Sequence, residues 1–245
     1  MIDKKKDVGF NRKVKADWLK EALQLTASGI PRHEVESILK NKIAKVNPGK
    51  ETIRKVFIYL NRVWIDPSDY CRGLRDDGIE IFIKNPNVDT AFILNWGMCI
   101  ASYPFIGHVA EATGRLLRLQ SEVQAVQVNQ RIREKFGDRH FVHRSVRYNL
   151  STFLDLGALK QGTKKGVYVK GNVYRPKSDI EISWLIEAVI HMQANGNLPF
   201  THLSQHGALF PFNITDLSAN SLKKNPRIEI FRHGLNEVLV GIKDK

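Results

Sequence analysis

The sequence predicts a mainly α-helical protein: an N-terminal helical domain, then a winged helix-turn-helix, then a small α+β C-terminal region. Three observations carry that expectation. Apolar residues recur at helical spacing along most of the chain as far as Leu156. Beyond Gly157 the pattern changes to short alternating runs around a Gly- and Lys-rich turn. From Arg139 to Arg175, eight Lys and Arg face a single acid, Asp155.

Residues 1–15 are polar and basic, with Lys4, Lys5, Lys6, Arg12, Lys13 and Lys15 and no apolar period before Ala16. They read as a flexible arm able to touch phosphate, with a solvated tail as the plain alternative. The N-terminal helical domain spans 16–104. Trp18, Leu19, Ala22, Leu23 and Leu25 begin an amphipathic helix that Ser28-Gly29 ends. Pro31 suits the first turn of a second helix carrying Val35, Ile38 and Leu39. Asn47-Pro48-Gly49 is a turn. The helix Glu51–Val63 then turns Ile53, Val56, Phe57 and Leu60 inward, leaving Arg54, Lys55 and Arg62 elsewhere.

The run Ala91–Ala110 is apolar enough for a membrane span but holds Asn95, Pro104, His108 and two glycines, so Tyr103-Pro104 is read as dividing two buried helices.

The winged helix-turn-helix is expected over 105–175. Val109–Leu119 and Val123–Phe136 supply two helices. Gly137 suits a left-handed stop, and Asp138 suits an N-cap for the third, which runs to about Leu156. On that third helix Val142, Val146, Leu150 and Phe153 fall on one stripe, opposite His140, Arg144, Arg147, Tyr148 and Ser151. Ala158–Lys160, the turn Gln161–Gly166 and Val167–Val169 form the hairpin wing, with Lys164 and Lys165 at its tip. The C-terminal region, 176–245, opens with the apolar helix Ile182–Met192 and a stop at Phe210-Pro211-Phe212. A short helix, Asp216–Lys224, and a hairpin of Arg227–Phe231 with Glu237–Ile242 through His233-Gly234-Leu235-Asn236 follow, an order that allows a degenerate second winged helix.

A 245-residue chain with 42% hydrophobic content and 12 Phe folds, and a net charge of +13 favours a polyanionic partner, an anionic membrane surface satisfying the same charge. Double-stranded DNA is the expected partner. The third helix offers Arg139, His140, Arg144, Arg147, Tyr148 and Ser151: Arg forms bidentate pairs with guanine or phosphate, and Ser and Tyr donate to phosphate oxygens. The wing offers Lys160, Lys164, Lys165 and Lys170 to the backbone. A solvated basic helix face is the plain alternative.

Two cysteines, Cys71 and Cys99, make neither a ligand cluster nor a disulfide framework, and no secretory apolar segment follows the N-terminal lysines; a cytoplasmic location is expected. No enzyme, cofactor or metal site is expected. His202 and His206 are four apart without a glutamate between them or an evident third ligand, and Asp76-Asp77 with Glu80 reads as a solvated loop. No Gly-rich phosphate loop occurs, and Cys99 sits in an apolar run where a thiol is packing.

Three stretches resemble the BrxA family of BREX phage-defence systems. Trp18-Leu-Lys-Glu-Ala-Leu-Gln-Leu-Thr-Ala-Ser-Gly29 through Glu51-Thr-Ile-Arg-Lys-Val56 is similar to that family's opening helices. Ala101-Ser-Tyr-Pro-Phe105 is similar to its central segment, and Tyr148-Asn-Leu-Ser-Thr-Phe-Leu-Asp-Leu-Gly-Ala-Leu-Lys160 to the end of its winged helix. Residues 176–245 are unmatched. The resemblance implies a non-enzymatic DNA-binding accessory protein of prokaryotic immunity, with protein partners such as a methyltransferase or a large ATPase. Two other readings remain: a winged-helix transcriptional regulator, which needs a self-complementary dimer surface, and a protein-interaction scaffold that does not bind DNA.

Overall fold

The computed structural model describes residues 9–215, 217–234 and 237–243. It is mainly helical with two small antiparallel sheets. The first part comprises α1 (Ala16–Ala27), α2 (Arg32–Val46), α3 (Lys50–Leu60) running on into a π-helical turn at Asn61–Ile65, α4 (Asp69–Lys84) and α5 (Val88–Ser102). Helix α5 is buried from Thr90 to Ser102, which its all-round apolar sequence requires. Asn87 caps it, its side chain accepting the Thr90 N–H at 2.9 Å.

After Tyr103 comes α6 (Pro104–Leu119), Pro104 occupying the first turn, where its missing N–H costs nothing. β1 (Glu122–Gln124), α7 (Ala125–Phe136), α8 (His140–Asp155), β2 (Leu159–Gln161) and β3 (Val167–Lys170) follow. The sheet order is β1-β3-β2, with Val123, Tyr168 and Gln161 in register. Helix α9 (Asp179–Met192), also almost entirely buried, packs on α5. Their closeness depends on Gly97: a Cβ there would fall 2.2 Å from the Trp184 ring. The chain closes with β4 (Asn197–Pro199), α10 (Phe200–Leu203), a 3-10 turn at Gly207–Leu209, α11 (Ala219–Leu222), β5 (Ile228–His233) and β6 (Glu237–Ile242), in the sheet order β4-β6-β5. In both regions a helix and a short strand precede helical segments and a closing hairpin, the second with a 3-10 turn between its two short helices, and in both the first strand pairs with the last. Buried side chains from 9–104, 105–175 and 176–245 form one continuous cluster, so the expected domain boundaries do not divide the core.

The division at Tyr103-Pro104, the stops at Gly29, Gly137 and Gly157, and the α8 stripe match expectation. No helix among the described residues is long and apolar enough to cross a membrane. Other expectations need correction. Residues 9–15 are not a flexible arm: Phe10 and Val14 are fully buried, because two apolar side chains on an irregular segment can pack into the core without any helical period. Lys4, Lys5 and Lys6 lie outside the described residues. Val123 and Gln124 belong to β1, so α7 starts only at Ala125. Arg139, not Asp138, occupies the N-cap position of α8; Asp138 is taken instead by His143 at 2.7 Å and by Arg133. Asp76, Asp77 and Glu80 lie on α4 rather than in a loop, and Asp77 accepts from Arg227 at 2.7 Å. The short C-terminal helix covers only Ala219–Leu222; Asp216, and Leu235-Asn236 of the hairpin turn, lie outside the described residues.

Candidate nucleic-acid interface

Helix α8 is held from behind. Val142, Val146, Leu150 and Phe153 are buried, and the Phe153 ring meets the Trp96 ring of α5 at 4.8 Å. Trp96 is itself fixed by donating to the Ala208 carbonyl at 2.9 Å. A 3.6-residue period then turns the opposite arc outward. His140 and Arg147 are exposed, and Arg144, Tyr148 and Ser151 are half-buried on that arc. Arg147 lies 5.3 Å from the Tyr148 ring, which keeps its guanidinium on the helix surface without neutralising it. Arg139 at the start of the helix donates to the Phe136 carbonyl at 3.1 Å and lies over the Phe141 ring at 4.8 Å.

The β2–β3 hairpin stands beside α8. Lys160, Lys164, Lys165 and Lys170 are all exposed. Lys164 and Lys165 lie in its turn, which is pinned where Gly162 N–H donates to the Val167 carbonyl at 2.8 Å. Glu122 of β1 accepts from the Thr163 hydroxyl at 3.2 Å, so the acid nearest the turn is used in holding it.

The remaining acids here are also engaged. Asp138 is held below the usual carboxylate range chiefly by its hydrogen bond to His143, against desolvation and with further help from Arg133. Asp155 accepts the Ala16 N–H at 2.8 Å and pairs with Lys13 at 2.8 Å. Neither Arg144 nor Arg147 has a carboxylate partner among the described residues. The outward arc of α8 and the hairpin turn thus form a surface of net positive charge, in which Asp138 and Asp155 are paired with cations and Glu122 keeps its charge while bonded to Thr163.

Sequence reasoning missed one neighbour of this surface. The segment 9–15 runs alongside α8: Gly9 lies against Asn149, Val14 N–H donates to the Thr152 hydroxyl at 3.2 Å, and Ala16 N–H reaches Asp155. Phe10 packs on the Tyr59 and Tyr103 rings, with centroids at 4.9 and 5.3 Å. Arg12, Lys13 and Lys15 are thereby fixed next to Arg144 and Tyr148 in a cleft of about 390 Å³, whose far side is the turn between α2 and α3. The signal was present in the Phe10 and Val14 pair, too short to register as a period.

Elsewhere, His202 and His206 do not form a pair. His202 is exposed on α10; His206 is buried, and its Nδ1 accepts the Ala208 N–H at 3.2 Å. Burial pulls the His206 imidazole down to about 4 despite Glu111 nearby. The Glu111 carboxyl, which burial would raise, is held at about 2 by His108, His206 and Arg115. Among the described residues no group of three or more candidate ligands is placed to hold a metal ion. Burial pushes the Cys99 thiol far up, away from the reactive thiolate. No family model, no curated protein and no solved structure matches this chain.

Proposed function

We infer that the α6–β3 unit is a winged helix that binds duplex DNA, with α8 as the helix presented to the major groove and the β2–β3 hairpin as the wing on the adjoining backbone. The carrying observation is the outward arc of α8. It brings Arg147 and His140 fully to the surface beside Arg144, while every acid around them is already engaged. The element order and the β1-β3-β2 pairing support the same reading. Arg139, Tyr148 and Ser151 serve the helix contact, and Lys160, Lys164, Lys165 and Lys170 the backbone contact. The activity is binding rather than catalysis. The resemblance to the BrxA family supports a role as a DNA-binding accessory of a phage-defence system, together with other proteins of that system.

The region from α9 to β6 repeats the element order, and we read it as a second, degenerate winged helix. Its α11 is only four residues long, too short to span a groove, so the unit acts as a brace for the first.

The test is fluorescence anisotropy of two unrelated duplexes with the parent and with Arg147→Ala/Lys164→Ala/Lys165→Ala. The parent binds both duplexes with similar affinity at low salt, and the variant, equally stable, binds each more weakly. A parent that ignores DNA leaves the scaffold reading, and a variant that binds like the parent removes α8 and the wing as the site.

A further inference from the structure

A helix in the major groove is flanked by two sugar-phosphate strands, and the groove is about 12 Å wide, so cations beside the helix matter as much as those on it. On one flank of α8 the protein has built such a row. Arg12, Lys13 and Lys15 belong to a segment fixed in place by the burial of Phe10 and Val14, not to a tail that must be ordered on binding. They share the cleft of about 390 Å³ with Arg144 and Tyr148 of α8. Asn47, from the turn between α2 and α3, and Thr52, in the first turn of α3, also line it.

The charge balance in this cleft is one-sided. No Asp or Glu is among its lining residues. Lys13 is paired with Asp155. Lys15 lies 5.9 Å from the Trp18 ring, and Arg12 donates to the neighbouring Asn11 carbonyl at 2.8 Å, contacts that orient both cations and neutralise neither. Glu51, next to Thr52, is occupied by Arg54 at 2.9 Å and Lys55 at 3.2 Å. Concave, basic and furnished with neutral donors at Tyr148, Asn47 and Thr52, the cleft suits a phosphodiester chain rather than a base edge.

We propose that this cleft seats one strand of the DNA backbone alongside α8, so that the N-terminal helical region forms part of the nucleic-acid interface through Arg12, Lys15, Arg144 and the turn between α2 and α3. The proposal rests on the reading of α8 as the DNA-facing helix. It extends the contact to residues outside the winged unit.

Two variants test it by salt-dependent anisotropy on a duplex, with thermal melting as the check on folding. Arg12→Ala/Lys15→Ala removes two phosphate partners, and the slope of log affinity against log salt becomes shallower by about 1.8, at ~0.9 per contact. Thr52→Glu sets a carboxylate opposite Arg144 at the third position of α3, where a helix start tolerates an acid. It weakens binding at low salt more than at high salt, and it remains informative if the first variant is less stable. Binding by both variants with the parent's affinity and slope overturns the proposal while leaving α8 and the wing untouched. Weakening by the cleft variants, with the α8 and wing variant unaffected, puts DNA in the cleft without α8 and the wing and overturns both the winged-helix reading and the proposal that rests on it. A parent that binds no duplex at low salt overturns both.

Discussion

Arg147 is exposed on the outward arc of α8, whereas Phe153 on the same helix is buried against Trp96. The two therefore separate binding from folding. Arg147→Ala loses a charge-assisted contact worth about 1.5–3 kcal/mol of binding with no change in stability, as read by anisotropy and urea denaturation. Phe153→Ala, stripped from Trp96, costs about 3–5 kcal/mol of stability. His206 gives a third residue-scale outcome. The unfolded chain takes up a proton there below about pH 6.5 and the folded chain only below about 4, because burial disfavours the charged imidazole more than the nearby Glu111 favours it. The contribution is complete above pH 6.5 and is lost as pH falls from there to about 4, up to about 3 kcal/mol. Urea titrations across that window should show the loss in the parent and a shallower dependence in His206→Gln. At this scale the α8 stripe was legible, because four apolar residues at helical spacing admit one orientation. The partner of Asp138 was not, since a carboxylate before a helix serves a cap or a cation equally well in the sequence.

The elements differ in how much sequence signal they carry. Long periodic helices such as α1, α3, α6, α8 and α9 announced themselves through spacing and Gly or Pro stops. Three-residue strands such as β1 and β4 hold too few alternations to register, and their existence depends on partners about 40 residues away in β3 and β6. Helix α4 was missed because its acids suggested a loop, whereas its buried side carries Cys71, Leu74, Gly78, Ile81 and Phe82. The irregular segment 9–15 escapes the sequence for a related reason: its two buried residues form no period. Removing residues 1–15 is therefore expected to lower the melting temperature sharply, Phe10 alone contributing about 3–5 kcal/mol. A truncated chain that melts like the parent would show the segment to be dispensable. The hairpin turn behaves in the opposite way: Lys164→Ala/Lys165→Ala leaves melting unchanged and makes the salt slope shallower by about 1.8.

Across the whole molecule, one continuous core joins the helices before α6 to both sheet-bearing regions, and α5 and α9 are its axis. That arrangement makes the platform behind α8 rigid, so a basic surface can be presented without ordering a tail. The charge of +13 is not spread evenly: acids near α8 are engaged and its cations are left outward, beside a cleft built by the N-terminal segment. Composition made the sign of the chain's charge legible; only folding brought residues 12–15 next to residue 144. The central claim is that this surface binds duplex DNA through its backbone. The most direct measurement is the salt dependence of the parent's affinity for a short duplex by anisotropy. With about five phosphates engaged by α8 and the wing, and more if the cleft contributes, the log–log slope is about −4.5 or steeper. A slope near zero, or no binding at low salt, would contradict the account.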